Sequence, residues 1–312
     1  MPAFYREEVG AVLSTSINKY VYITINKKFD NAIRVNYSTT EEVTTTGSIK
    51  HPLVRESLEL LNVGHSIEIG STADIPSKGS GLGSSSSFTV GLLHALHEYQ
   101  GKYVDKNLLA ELACEVEIKR CSELIGKQDQ YAAAFGGLNY IRFLPDDTVI
   151  VEELRIPSLV EDALRRSIIV FYTGRTRSAS SVLVEQANNA LRSKEKRHLR
   201  RMVELASLMK AELERSSIAN IGEMLNENWS LKKQLSSSVS NEYIDRLYDV
   251  GVANGATGGK LLGAGNGGFL MLFADHACHD NIRKNLNFLR EVKLDFEKHG
   301  SQIVFTDQKK MS

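Results

Sequence analysis

Between Pro76 and Leu96 the chain reads Pro-Ser-Lys-Gly-Ser-Gly-Leu-Gly-Ser-Ser-Ser-Ser and then passes directly into a helical apolar pattern, Phe88, Val90, Leu92, Leu93 and Leu96. Such a turn feeding a helix is the layout of an anion cradle. Gly79, Gly81 and Gly83 let the backbone take positive φ and approach a bulky ligand, and Ser84, Ser85 and Ser86 fall where a helix begins. Backbone N–H groups there face an anion with the helix dipole behind them.

Two familiar phosphate loops do not fit. A P-loop ends in Gly-Lys-Ser/Thr, whereas this one has Gly83-Ser84-Ser85, so no lysine stands where it could reach the terminal phosphates in that manner. A dinucleotide fingerprint needs a glycine where Ser86 stands. A flexible serine linker is the plainest alternative, but linkers do not continue into apolar residues at helical spacing.

The 38 basic and 38 acidic residues cancel, so no bulk charge draws the protein to nucleic acid or an anionic membrane. No run approaches the roughly 18 apolar residues of a membrane span, and Met1-Pro-Ala-Phe-Tyr-Arg-Glu-Glu8 lacks the order of a signal peptide. The expected compartment is the cytoplasm. Cys114, Cys121 and Cys278 lack Cys-x-x-Cys spacing and read as reduced core thiols. The eight histidines form no zinc-hydrolase pair.

Along the chain, residues 11–25 and 33–37 read as strands, 51–61 as a short helix, and 66–75 as the strand that delivers the glycine turn. Helices are expected over 84–100 and 105–121, with a third starting near Gln128, and strands over 138–143 and 149–154. Beyond Pro157 the pattern predicts a strand at 167–172, then a helical tract from 178 to 253 broken near Ser193, Ser216 and Ser236–Ser240. A buried strand at 267–273, a helix at 276–289 and closing strands at 292–296 and 302–306 complete an α+β pattern, with a boundary at 155–165.

Three blocks in this order resemble the GHMP kinases, the family of galactokinase, homoserine kinase and mevalonate kinase. They are the glycine-serine loop, Gly126-Lys-Gln-Asp-Gln-Tyr-Ala-Ala-Ala-Phe-Gly-Gly137, and Lys260-Leu-Leu-Gly-Ala-Gly-Asn-Gly-Gly-Phe-Leu-Met-Leu-Phe273. The resemblance spans nearly the whole chain. It implies an α+β, two-domain GHMP kinase fold: a nucleotide-binding domain similar to ribosomal protein S5 domain 2 over 1–158, and a ferredoxin-like domain over 159–312. It also implies ATP and Mg²⁺ as cofactors and a small sugar phosphate as substrate, with no nucleic-acid or membrane partner; the oligomeric state stays open.

Phosphoryl transfer needs phosphates and metal held, and an acceptor hydroxyl oriented. By the resemblance, Gly79, Ser80, Gly81, Leu82, Gly83, Ser84, Ser85 and Ser86 would hold the nucleotide phosphates, with Ser85 facing the metal or the phosphate. Glu117, twelve residues before Asp129, resembles the family's metal-binding glutamate; Glu115 competes with it, and the bland reading of Glu117 is a surface carboxylate paired with Lys119 or Arg120. Asp129 matches the family's catalytic aspartate and would serve as general base or orienting anion; a helix N-cap is its other reading. Gly263, Gly265 and Gly267 would let nucleotide and substrate approach the backbone, or else make a tight turn. Lys78, Arg175 and Arg177 would grip a phosphate carried by the substrate, surface solvation being the alternative.

The loop, its helix and Tyr172-Thr-Gly-Arg-Thr-Arg-Ser-Ala179 resemble the heptose phosphate branch of the family. That implies transfer to the anomeric hydroxyl of D-glycero-D-manno-heptose 7-phosphate, giving the 1,7-bisphosphate. A galactose- or fucose-type 1-kinase and a catalytically silent nucleotide-binding protein are the alternatives. The family's opening block, similar to Pro-x-x-x-x-x-Gly-Glu-His, has no counterpart here, and Pro2-Ala-Phe-Tyr-Arg-Glu-Glu-Val resembles the stretch that normally comes just after that block. Weaker sugar binding is the expectation for a chain without it.

Overall fold

Alternation of β-branched and polar residues builds the first strands, and helical spacing builds the helices laid on them. The computed structural model describes residues 2–75, 81–174, 185 and 193–307. By contacts the chain divides into two units, neither a single run of sequence: one of residues 19–77, 83–136 and 298–312, the other of 1–18, 78–82 and 137–297.

In the first of these, strands β2 (Val21–Lys27), β3 (Ile33–Asn36), β4 (Thr40–Val43) and β5 (Ile67–Ala73) form one sheet in the order β2-β5-β3-β4. The β3–β5 pair is parallel and the others antiparallel. Helices α2 (Pro52–Leu60) and α3 (Ser84–Tyr99) supply Val54, Leu58, Leu92 and Leu96 to a core with Ile33, Val35, Ile67 and Ile69 of the sheet. Each of these side chains is buried, and full burial of one such residue contributes about 1.5–3 kcal/mol. Helices α4 (Lys106–Cys114) and α5 (Gln128–Phe135) pack beside α3. Asp105 caps α4, accepting a hydrogen bond from the Leu108 N–H at 2.9 Å.

The other unit holds two antiparallel sheets. Strand β1 (Gly10–Thr15) pairs with β6 (Leu138–Phe143), which pairs with β7 (Val149–Glu153). The second sheet runs β11 (Arg290–Glu291), β8 (Ile168–Tyr172), β10 (Phe269–Ala274), β9 (Ala256–Leu261). Among its helices are α1 (Pro2–Tyr5), α6 (Ser158–Arg166), α7 (Ser193–Glu214), α8 (Ile221–Leu235), α9 (Glu242–Ala253) and α10 (His279–Asn285). Trp229 of α8 and Leu247 of α9 are buried with Phe171, Leu261, Leu270 and Leu272 of the sheet.

Several expectations are corrected. The helix expected over 105–121 ends as an α-helix at Cys114 and continues as one π turn, Glu115–Arg120. Strand β9, Ala-Thr-Gly-Gly-Lys-Leu, has low β propensity and is not among the expected strands. It exists because α8 lies almost against its backbone: a Cβ on Gly258 would collide with the Gly222 carbonyl oxygen. Helix α6 is likewise an addition to the expected elements. The closing strands at 292–296 and 302–306 are absent: the strand on β8 is Arg290–Glu291, the Val292 N–H adds one hydrogen bond to the Val170 carbonyl at 2.8 Å, and Phe296 makes one isolated bridge to Ile17. Val304 and Phe305 are 85% and 84% exposed, so alternation there found no face to bury. All three cysteines are free, but Cys114 alone is buried, and burial pushes its thiol up to about 12.

Candidate active site

Helix α3 starts directly at the glycine-serine sequence. Its N-cap is Gly83, left-handed at φ +71° and without any side chain to cap the helix. A Cβ on Gly83 would lie 3.5 Å from the Cβ of Asp129 and 3.8 Å from its Oδ2, so the carboxylate of Asp129 stands beside the entry to α3. Asp129 is half-buried and accepts a hydrogen bond from Gln128 Nε2 at 3.1 Å. It is the second residue of α5, whose N-cap position is filled by Lys127, so the capping role read for it is not the one it has.

Glu117 is fully buried, and its surroundings are built from side chains. Oε1 accepts from Ser85 Oγ at 2.7 Å and from Thr89 Oγ1 at 3.2 Å; Oε2 accepts from Ser86 Oγ at 2.8 Å and from Gln130 Nε2. Thr89 also lies 3.1 Å from the Ser85 carbonyl oxygen, and one hydroxyl proton serves one of the two acceptors at a time. Burial pushes the Glu117 carboxyl above its ordinary range, and the hydrogen bonds from Ser85, Ser86, Gln130 and Thr89 pull it back without compensating. Side chains of the first turns of both α3 and α5, Ser85, Ser86 and Gln130, thus reach the carboxylate.

The π turn decides which glutamate points inward. One extra residue per turn rotates the chain locally, a device frequent at functional sites. Glu117 is carried into the interior, while Glu115 pairs with Lys119 at 2.8 Å and with Arg120 at 3.7 Å. The surface ion pair expected as the bland reading of Glu117 therefore belongs to its competitor.

A divalent cation is a fair test of this cluster. Among the described residues no group of three or more His, Cys, Asp or Glu side chains is placed to hold a metal ion. Ser85 is exposed whereas Ser86, Thr89, Gln130 and Glu117 are buried, so Ser85 is the member of the cluster at the surface. One serine oxygen with one carboxylate behind it suits Mg²⁺, which takes hard oxygen ligands and keeps several waters or phosphate oxygens.

In the other unit, Gly81 and Gly263 both have φ +76° and lie backbone to backbone. A Cβ on Gly81 would stand 2.6 Å from the Leu262 carbonyl oxygen, so no other residue fits. Gly263, Gly265 and Gly267 form the turn from β9 to β10, where the Asn266 N–H donates to the Val239 carbonyl at 2.8 Å. Lys232 Nζ donates to the Gly263 carbonyl oxygen, a cation at this turn that the sequence did not single out. Lys78, Gly79, Ser80, Arg175 and Arg177 lie outside the described residues. Sequence reasoning also missed Thr89 and Gln130, although Thr89 stands one helical turn after Ser85 and Gln130 is the residue next to Asp129.

Residues 49–137 match the family model of the GHMP kinases N terminal domain, and residues 209–289 that of the GHMP kinases C terminal domain. A D-glycero-alpha-D-manno-heptose 7-phosphate kinase of Campylobacter jejuni is 31% identical over 299 residues, covering 92% of this chain and 88% of that one. The chain belongs to the GHMP kinases. This GHMP kinase also shares its fold with a crystal structure of a D-glycero-D-manno-heptose 1-phosphate kinase from Bacteroides thetaiotaomicron, at TM-score 0.78 and 24% identity, over 96% of this chain and 92% of that one. A Streptococcus pneumoniae phosphomevalonate kinase in complex with phosphomevalonate and AMPPNP matches at TM-score 0.77 and 16% identity, over 94% and 95%. The expected α+β, two-domain GHMP kinase fold is thereby borne out. The protein is a phosphotransferase with an alcohol group as acceptor. Ser85, Ser86, Glu117 and Asp129 lie in the first matched stretch, Gly263, Gly265 and Gly267 in the second. No helix among the described residues is long and apolar enough to cross a membrane.

Proposed function

We propose that this GHMP kinase transfers the γ-phosphoryl group of ATP to the anomeric hydroxyl of D-glycero-D-manno-heptose 7-phosphate, giving the 1,7-bisphosphate and ADP in the cytoplasm. The observation that carries the reading is the meeting of three things in one unit: the start of α3 at the left-handed Gly83, the buried Glu117 and the Asp129 carboxylate beside Gly83.

Each group has a task. The loop from Gly79 to Ser86 holds the nucleotide phosphates, where backbone N–H groups and the α3 dipole favour negative charge. Asp129 orients the acceptor O–H and takes its proton as the oxygen–phosphorus bond forms and the bond to the ADP oxygen breaks. Ser85, backed by Glu117, would hold Mg²⁺. When bound there, the ion would supply positive charge against the transferring phosphoryl group. Ser86, Thr89 and Gln130 keep the Glu117 carboxylate in place through hydrogen bonds.

The turn at Gly263, Gly265 and Gly267 keeps its backbone open to a phosphate or a sugar. Lys78, Arg175 and Arg177 supply cations for the phosphate the substrate already carries. In sequence terms the two modules run over 1–158 and 159–312.

The choice of heptose 7-phosphate is supported by the 31% identity with the Campylobacter jejuni enzyme. ADP release measured with heptose 7-phosphate, galactose, fucose and mevalonate tests it, turnover of the heptose phosphate being expected. Turnover only with an unphosphorylated sugar would remove Arg175 and Arg177 from the mechanism. ATP binding without transfer to any acceptor would turn the assignment to a silent nucleotide-binding protein.

A further inference from the structure

Gln130 is fully buried at the third position of α5. Its Nε2 donates to Glu117 Oε2, while its Oε1 meets no hydrogen-bond donor among the described residues. An unpaired buried amide oxygen is costly, and a methionine would fill the same volume without it. The contact through Nε2 is what a glutamine adds there.

The geometry of the first turn of α5 shows what that contact links. Successive residues on a helix point about 100° apart, so Asp129 faces Gly83 while Gln130 faces Glu117. The other three donors to Glu117, namely Ser85, Ser86 and Thr89, all belong to α3. Among the described residues Gln130 alone ties α5 to the Glu117 carboxylate by a side-chain hydrogen bond. We propose that Gln130 is a positioning residue: its one hydrogen bond sets the orientation of the Glu117 carboxylate and holds the turn that carries Asp129 in register with it. The inference rests on the proposed function, in which Glu117 backs the metal and Asp129 meets the acceptor.

Gln130→Met is the first variant and Gln130→Asn, one methylene too short to reach, the second. Two metal constants are read: the dissociation constant of Mn²⁺ from the enzyme–ADP complex, by electron paramagnetic resonance without turnover, and the Mg²⁺ concentration for half-maximal rate. Both are expected to rise about tenfold, as for loss of a group that orients a metal ligand. The kcat at saturating Mg²⁺ should fall while KM for the sugar phosphate stays within about twofold. A lowered melting temperature with both metal constants unchanged overturns the inference and leaves Gln130 a packing residue. Glu117→Gln separates the two levels. If it weakens Mn²⁺ binding and the Gln130 variants do not, the link alone fails; if it leaves Mn²⁺ binding intact, the reading of Glu117 fails and takes the link with it.

Discussion

Glu41 and Glu117 are two buried glutamates in the same unit, and their carboxyls are displaced in opposite directions. Around Glu41, burial pushes the carboxyl up, but the Lys50 N–H at 2.6 Å, the Tyr37 hydroxyl at 2.8 Å and the His51 N–H at 3.1 Å outweigh it and hold it below its ordinary value. Around Glu117 burial wins, although four donors reach it. Two of the Glu41 donors are backbone amides fixed by the chain just ahead of α2, whereas all four Glu117 donors are side chains. The first carboxylate is settled where it lies and pins β4 to the segment just ahead of α2. The second is held by groups that can turn, in a place where an added cation would relieve the burial penalty.

Activity separates the two environments most widely. Asp129→Asn keeps the shape of the site and removes the proton acceptor, and kcat should fall by about 10²- to 10⁴-fold with the melting temperature unchanged. Glu117→Gln should raise the Mg²⁺ needed for half-maximal rate by about 100-fold, whereas Glu41→Gln should leave it alone. Equal responses from the two glutamates would erase the distinction.

Stability against pH sharpens it. Glu41, with a depressed folded pKa, stabilises the protein above the ordinary carboxylate value of 4.5 and loses that contribution as pH falls through its folded pKa. Glu41→Gln should therefore flatten the acid arm of the profile. Glu117, with a raised folded pKa, does the reverse: the metal-free protein loses stability as pH rises from 4.5 through the folded pKa. Thermal melts in EDTA should show Glu117→Gln gaining on the parent protein across that window. The smallest effect belongs to Glu115→Gln, which removes a partly exposed ion pair with Lys119 and should shift stability by less than about 1 kcal/mol with no change in Mg²⁺ dependence.

The start of α3 at Ser84 and the strand Leu138–Phe143 were readable because glycine turns and apolar periodicity are local signals. Strand β9 was not, since Gly258 and Gly259 have low β propensity, and it is packing that fixes them, α8 against the first and β10 against the second. The expected strand at 302–306 failed for the converse reason, a local alternation without a partner edge.

The amino-acid sequence by itself determined that a glycine-serine turn opens a helix, that an aspartate comes later in a Gly-x-x-Asp-Gln block, and that a second glycine turn precedes an apolar strand. These are statements about neighbours along the chain, and backbone sterics and side-chain periodicity carry them. Tertiary structure decided that Glu117 rather than Glu115 enters the interior, and that Ser85, Ser86, Thr89 and Gln130 converge on it. A π turn rotates one glutamate inward, and three elements distant in sequence must pack before a buried charge can find its donors.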